Sequence, residues 1–367
     1  MVGSVLLSRM IACGDLEKVH TTLFSTSNAG GEAPSLTNVS PILGDANSST
    51  ELSKSDIVLT CQGGDYTERI LPLLRAQGWN GLWIDASSAL RMNVDTMLVL
   101  DPVNGDSLVD GLRTGVRNFA GANCTVSLML MAMDGLIQAG IVEWISSMTY
   151  QAASGAGASA LGELVEQMGA LTGDLGAPNP KTLSNLALDM DKRISDRMMG
   201  EQFPTQQFGV PLAGSAIPWI DSAVENGQTR EEWKGLVEAN KLLERNGDEV
   251  IPIDGLCVRI GAMRCHAQAL TIKLNSDLPL SEIERLIKGG NKWVKFVDNN
   301  ELDTKSQLTP AALAGSTEIA VGRVRKMAMG GEYLAAFTVG DQLLWGAAEP
   351  IRRMLNIAIE HRELWKN

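Results

Sequence analysis

Residues 57–65 read Ile57-Val58-Leu59-Thr60-Cys61-Gln62-Gly63-Gly64-Asp65. An apolar, β-prone run is followed at once by a polar turn, and residues 67–77 then have the length of a helix. Runs 82–85 and 97–102 repeat the apolar pattern. Short apolar strands separated by helices predict a parallel sheet that is covered on both faces.

Residues further along the chain have a different pattern. Longer strands with interleaved polar residues alternate with long helical stretches, which predicts an α+β domain. The strands are predicted at 142–150, 255–262 and 267–273, and the helices at 158–172, 181–199 and 230–245. Residues 341–365 have helical spacing, with Pro350 expected to kink the helix. We predict a dinucleotide-binding domain at 1–122, completed by helix 341–367, and an α+β domain at 123–340.

The start of the chain departs from the usual dinucleotide-binding pattern. Such folds open with a strand and a glycine-rich turn at the head of the first helix. Here helical spacing is present from residue 1 to residue 12, so the first strand is apparently missing. We interpret this as a start site placed too late or as a truncation, and the sequence leaves open whether residues precede Met1 natively.

Composition excludes several functional classes. The 367 residues carry a net charge of −12, which argues against general binding to nucleic acid or to an anionic membrane. The longest apolar run, 126–133, is too short to span a bilayer. The five cysteines form no CxxC pair, and no export signal precedes them, so we expect reduced thiols, no metal site and a cytoplasmic location.

The strongest local motif is Gly121-Ala122-Asn123-Cys124-Thr125, which is followed by an apolar run. A cysteine in the first turn of a helix lies at the positive end of the helix dipole, which lowers its pKa and favours the thiolate. Backbone N–H groups there could also hold an oxyanion. A small buried cysteine that only packs is the alternative.

A thiolate nucleophile needs a proton-transfer partner, and the chain has three histidines. His266 lies between two predicted strands of the second domain, and it alone is flanked by other candidate site residues. His20 and His361 lie near the two ends of the chain. We therefore predict His266 as the partner, with a purely structural histidine as the alternative.

Charged residues provide candidate anion sites. Arg91 follows the strand at 82–85, at the edge of the sheet where ligands of such folds bind, and a salt bridge at that edge is the alternative. Arg259 lies on a strand between apolar neighbours and could hold a carboxylate through two hydrogen bonds. Glu231 and Lys234 lie on one helical face, and spacing alone favours a solvated pair.

Three hydroxyl residues, Ser25-Thr26-Ser27, lie where the second strand of a dinucleotide fold would end. An NAD site prefers a carboxylate at this position, whereas hydroxyls tolerate the 2′-phosphate of NADP. An ordinary loop is the alternative.

Taken together, the sequence resembles the bacterial aspartate-semialdehyde dehydrogenases from Met1 to about Leu355. Seven motifs carry the resemblance, in the family's order. They are Phe24-Ser25-Thr26-Ser27, residues 60–67, residues 121–127, residues 150–155, residues 208–214, Arg264-Cys265-His266 and residues 339–346.

The resemblance implies NADPH-dependent reduction of L-aspartyl-4-phosphate to aspartate 4-semialdehyde and phosphate, a step that feeds lysine, diaminopimelate, methionine and threonine synthesis. It implies that Cys124 forms a thioester and that His266 is the acid/base. Arg91 and Lys234 would bind phosphate, Arg259 the substrate carboxylate, and Glu231 with Gln151 the amino group. The implied NADP contacts are Thr26, Ser27, Gln62, Ser154, Gly155 and Gln342.

The resemblance also implies a homodimer built through the second domain. Residues 174–185 depart from the family pattern, so no cofactor contact is assigned there. Two other functions stay open: reduction of another acyl phosphate, such as N-acetylglutamyl phosphate, and an inactive, truncated protein that only binds partners.

Overall fold

The computed structural model describes residues 1–173 and 183–366. The departure predicted at 174–185 lies outside them, apart from the backbone of 183–185. The described helices include none that is long and apolar enough to cross a bilayer. The first elements are α1 (Val2–Ala12), β1 (Phe24–Ser25), β2 (Gly44–Asp45), α2 (Ser49–Leu52), β3 (Ile57–Thr60), α3 (Gly64–Ala76), β4 (Leu82–Asp85), β5 (Thr96–Leu98), α4 (Gly105–Thr114) and β6 (Asn118–Ala120).

The remaining elements form the second half of the fold. They are α5 (Cys124–Gln138), β7 (Val142–Gln151), α6 (Ala158–Thr172), α7 (Leu183–Met198), β8 (Ala216–Ile217), α8 (Arg230–Leu242), β9 (Ile253–Ile260), β10 (His266–Leu274), α9 (Leu280–Gly290), β11 (Val294–Phe296), α10 (Glu301–Gln307), α11 (Pro310–Leu313), β12 (Ile319–Met327), β13 (Gly330–Gly340), a π-helical turn (Leu344–Ala348) and α12 (Glu349–Glu360).

The first sheet has the order β3-β4-β6-β5, and all its strands are parallel. Every residue of β4 is buried, because the sheet is covered on both sides. Apolar residues of α1, α4 and α12 pack on one face, and those of α3 pack on the other. The predicted parallel α/β sheet is confirmed.

A large cleft lies beside β3. The short pair β1 and β2 forms a separate parallel ribbon, and among the described residues no strand pairs with the outer edge of β3. The cleft between β1 and β3 has a volume of about 1080 Å³ and is also lined by α1 and α12. As the sequence predicts, the first element of the described chain is a helix rather than a strand.

The second sheet is mixed and has the order β11-β12-β13-β10-β7-β9-β8. Helix α5 lies against one face of this sheet, and residues 125–137 are all buried, which explains the apolar run after Cys124. The predicted α+β character of this region is confirmed.

The end of the chain is helical without interruption from Leu344 to Glu360, as the spacing predicts. Pro350 lies where the π-helical turn passes into α12. A proline has no N–H to donate, and a local π-helical turn is one way in which a helix accommodates it. Since α12 packs on α1 and α4, we keep the proposed division in which it completes the first domain.

Candidate active site

Cys124 is the first residue of α5. The side chain of Asn123 caps the helix, and its Oδ1 accepts hydrogen bonds from the N–H groups of Thr125 and Val126 at 2.8 and 3.3 Å. This cap fixes the cysteine at the positive end of the helix. Cys124 as a whole is half-buried.

The protonation state of Cys124 differs from the prediction. Desolvation by the surrounding protein raises the pKa of the thiol to about 12, and the charge of Glu231 adds to this rise. The charges of Arg91, Arg259 and Lys234 oppose it without reversing it. The predicted lowering of the pKa is therefore wrong, because burial favours the neutral thiol.

His266 is the first residue of β10 rather than a residue between strands, and it is 1% exposed. The backbone N–H of Ala152 donates to its Nδ1 at 3.1 Å, so the neutral ring carries its proton on Nε2. That Nε2 is buried without a partner among the described residues. Burial and the nearby Arg259 lower the pKa of His266 to about 3, so the ring stays neutral.

Arg259 lies beside the imidazole of His266: its Nη1 and the ring would lie 2.9 and 3.0 to 3.1 Å from a Cβ on Gly155. Its charge lowers the pKa of His266 and opposes the rise in the pKa of Cys124. Its Nη1 donates to the carbonyl of Ala152 at 2.8 Å, which holds the guanidinium near the imidazole. The side chain of Arg259 points inward from β9, as its apolar neighbours on the strand predict, and Arg259 is 7% exposed.

Two glycines keep this site compact. A Cβ on Gly155 would lie 2.9 Å from Nη1 of Arg259 and 3.0 to 3.1 Å from the ring of His266. A Cβ on Gly346, in the π-helical turn, would lie 2.5 Å from the Cβ of Cys124. Glycine at these positions is required because backbone approaches the reactive side chains directly.

Glu231 and Lys234 lie on α8, and both are buried. Their salt bridge spans 3.1 Å between Nζ and Oε2, and Lys234 also binds Oδ2 of Asp221 at 2.8 Å. Burial alone would raise the pKa of Glu231. The charge of Lys234 and the hydrogen bonds to the carboxylate lower the pKa by more than burial raises it, so the net shift is downward. The solvated pair favoured by spacing alone is wrong, because α8 packs this face against the site.

Glu231 joins α8 to Gln151 and to Asn123. Its Oε1 accepts from Nδ2 of Asn123 at 2.9 Å and from Nε2 of Gln151, at the end of β7, at 3.2 Å. Arg91 is also buried, and its Nη1 pairs with Glu238 at 3.2 Å. The structure thus brings the predicted catalytic and substrate residues into one buried network.

The predicted cofactor residues fall into two groups. Thr26, Ser27 and Gln62 are exposed in the turns after β1 and β3. Ser154 and Gln342 are buried and hydrogen-bonded to each other, and Oε1 of Gln342 accepts from the N–H of Cys265 at 2.8 Å. In the described part of the chain, no hydrogen bond links Thr26 or Ser27 to this buried pair.

Sequence reasoning missed three polar residues of the network, Asn123, Asp221 and Glu238. Asn123 stood inside the quoted motif and has the residue type of a helix cap. Glu238 lies seven residues after Glu231, two turns along the same helical face. Asp221 carries no signal in the sequence, because it reaches Lys234 from an irregular segment.

Comparisons with known proteins match this architecture. A family model described as "Semialdehyde dehydrogenase, NAD binding domain" matches residues 1–110, and one described as "Semialdehyde dehydrogenase, dimerisation domain" matches residues 133–345. The aspartate semialdehyde dehydrogenase from Francisella tularensis is 45% identical, with a TM-score of 0.92 over 97% of this chain and 96% of that one.

Two more distant structures share the fold. Aspartate semialdehyde dehydrogenase II from Vibrio cholerae is 21% identical, with a TM-score of 0.76 over 98% of this chain and 95% of that one. The Candida albicans aspartate semialdehyde dehydrogenase, crystallised with NADP, is 12% identical, with a TM-score of 0.62 over 94% and 92%. With the match to the Francisella enzyme, the resemblance drawn from the motifs is confirmed: the chain belongs to the aspartate-semialdehyde dehydrogenase family.

Proposed function

We propose that this protein reduces L-aspartyl-4-phosphate to L-aspartate 4-semialdehyde with NADPH, releasing phosphate. The observation that carries the proposal is the thiol of Cys124 at a helix N-terminus whose cap, Asn123, is hydrogen-bonded to a network of buried charges of both signs. The imidazole of His266 lies beside another buried cation, Arg259. Family membership supports the same reaction class.

The charges of the site complement those of the substrate. A phosphoryl group carries two negative charges, and Arg91 and Lys234 are the two buried cations that would bind it. Arg259 would hold the α-carboxylate, and the ionised Glu231, with Gln151, would hold the ammonium group. Each charged group of the substrate therefore has a counterpart of opposite sign.

The chemical steps follow from the positions of the sulfur and the ring. The sulfur of Cys124 attacks the acyl carbon, and the C–O bond to phosphate breaks. Phosphate leaves with the electron pair of that bond and takes up the thiol proton, which gives a thioester. When bound, the cofactor supplies a hydride to that carbon. The Nε2–H of His266 donates a hydrogen bond to the acyl oxygen as negative charge develops there. When the C=O bond re-forms, the C–S bond breaks, and the sulfur leaves as a thiolate that regains a proton from water.

The residues present fit NADPH. Ser25, Thr26 and Ser27 place hydroxyls after β1, where a carboxylate would repel a 2′-phosphate. Gly155 leaves space beside His266 and Arg259, where a side chain would intrude. We propose that Thr26 and Ser27 bind the 2′-phosphate, and that Gln62, Ser154, Gly155 and Gln342 line the rest of the cofactor site.

A steady-state assay tests the substrate. We expect oxidation of aspartate semialdehyde by NADP that requires phosphate, with a kcat/KM at least about 100-fold above that for N-acetylglutamate semialdehyde, because an acetylated amine leaves Glu231 unpaired. Replacing Glu231 by glutamine is expected to narrow this ratio. A preference for the acetylated substrate would contradict the assignment, and absence of both turnover and NADPH binding would favour an inactive protein.

We further propose a homodimer formed through the face of the second sheet that lies opposite α5. Side chains on this face form an apolar row in register across four strands: Phe337, Ala269, Met148 and Leu256. Met148 is 37% exposed and Leu256 is 52% exposed. An apolar row that includes two exposed side chains fits a second copy of the chain, and the dimerisation-domain match covers it.

Replacing Leu256 by glutamate tests the dimer. Burying two unpaired carboxylates at a symmetric interface is expected to raise the dimer dissociation constant at least about 30-fold. Sedimentation velocity measures this, with Leu302→Glu as a matched control, since Leu302 is 78% exposed on α10. A wild-type monomer, or a Leu256→Glu variant that dimerises normally, would refute this interface.

We place the enzyme in the cytoplasm. All five cysteines are free, two of them buried, as expected for a protein that folds in a reducing compartment. The reaction also needs NADPH as a reductant, which the cytoplasm supplies.

A further inference from the structure

Glu238 is a buried carboxylate that the proposed reaction leaves without a role. It lies on α8 and is 1% exposed. Its two oxygens accept from Nη1 of Arg91 at 3.2 and 3.3 Å, and its Oε2 also accepts from the backbone N–H of Asn123 at 2.6 Å. Because Asn123 immediately precedes Cys124, one carboxylate ties the proposed phosphate ligand to the backbone beside the nucleophile.

Lys241 makes a second connection between the same elements. It lies nearly one turn after Glu238, and its Nζ donates to the carbonyl oxygens of Arg91 and Asn93, at 2.7 Å each. Helix α8 therefore holds the loop after β4 at two points: the Arg91 side chain through Glu238 and the loop backbone through Lys241.

Four residues of α8 form one functional face. Glu231, Lys234, Glu238 and Lys241 are spaced by three, four and three residues, which places them on one side of a helix. Glu231 and Lys234 lie in the proposed substrate site. Glu238 and Lys241 hold Arg91, which lies in the loop after β4 of the first sheet. A single rigid helix thus sets where the Arg91 cation lies relative to Lys234.

Arg91 has a hydrogen-bond donor that is available to an anion. Its Nη2 donates to the carbonyl of Ala86 at 3.2 Å, whereas its Nε is buried and has no partner in the part of the chain that the structure describes. An oriented guanidinium with a free buried donor is suited to a phosphoryl oxygen.

We propose that Glu238 is a positioning residue that fixes the Arg91 guanidinium relative to Cys124, and so aligns the phosphate for the step at the sulfur. This inference rests on the proposed function. Glu238 does not touch the substrate, and its negative charge would weaken rather than strengthen phosphate binding. A positioning role therefore predicts that removing the charge impairs turnover without impairing phosphate binding.

The test compares full-length wild type with Glu238→Gln, which keeps an acceptor for Asn123 but loses the charge. We expect kcat for phosphate-dependent semialdehyde oxidation to fall about 10- to 100-fold, because small misplacements at a reacting centre have effects of this size. Titration calorimetry with inorganic phosphate is expected to give an unchanged or lower Kd. Lys241→Met should also lower kcat, by a smaller factor than Glu238→Gln.

A matched control is Glu349→Gln, which removes another buried carboxylate that pairs with arginine, Arg352, on α12. This variant is expected to lower the melting temperature, but not to combine a roughly 10- to 100-fold loss of kcat with an unchanged phosphate Kd. A Glu238→Gln enzyme with wild-type kcat, a raised phosphate Kd, or the same loss in Glu349→Gln would overturn the inference. Failure of the proposed function is distinct, since wild type itself would then show no phosphate-dependent turnover.

Discussion

Replacing Cys124 by serine is expected to lower kcat for phosphate-dependent oxidation of aspartate semialdehyde by at least about 10⁴-fold. The physical reason is that a serine hydroxyl is a far weaker nucleophile than a cysteine thiol, and that it holds its proton more tightly. Cap and helix should be unaffected, because Asn123 caps α5 with its own side chain. Initial-rate kinetics measures the loss.

The control variant for this prediction is Cys13→Ser, because Cys13 is exposed after α1. It should keep wild-type kinetics, and Cys124→Ser should keep wild-type NADPH affinity, measured by nucleotide fluorescence. Substantial turnover by Cys124→Ser would mean that the reaction bypasses a covalent intermediate on this residue.

Replacing His266 by asparagine is expected to lower kcat by about 10²- to 10³-fold, the usual contribution of a positioned hydrogen-bond donor to a developing oxyanion. Since the pKa of His266 is lowered to about 3, the ring is neutral above that pH and charged only below it. Protonation of this ring should therefore cause no change in kcat/KM between pH 5 and 8. Nitrogen-15 NMR should show a neutral ring with its proton on Nε2 throughout this range.

A control variant shows whether the loss of kcat is specific to His266 or follows from replacing any histidine. His361→Asn changes a partly exposed histidine at the end of α12, and it should behave as wild type. An inflection near pH 6.5 that disappears in His266→Asn would show that the ring titrates, and would contradict the assigned tautomer and its burial.

The sequence predicted the framework because its signals are local. Strands such as β4 and helices such as α6 lie at the predicted residues, since apolar periodicity and turn residues act over short distances. At Pro350 the sequence predicted a disturbed helix but not the π-helical turn before it, because that turn depends on how its buried residues pack.

The site was predicted less completely, because its properties depend on long-range packing. The spacing of Glu231 and Lys234 is the same for a surface pair and a buried one, and only the packing of α8 distinguishes them. The pKa of Cys124 follows the helix dipole in isolation but is dominated by desolvation in the folded protein. The contact of Glu238 with Arg91 joins residues far apart in the chain, so no local pattern signals it.

Trapping the acyl-enzyme tests the central claim most directly. Wild-type enzyme mixed with aspartate semialdehyde and NADP, but without phosphate, should release a burst of about one NADPH per site and stop, because the thioester lacks its acceptor. Peptide mass spectrometry should then find the acyl group on Cys124. An acyl group on another residue, or the absence of both burst and adduct in an enzyme that turns over with phosphate, would contradict catalysis through Cys124.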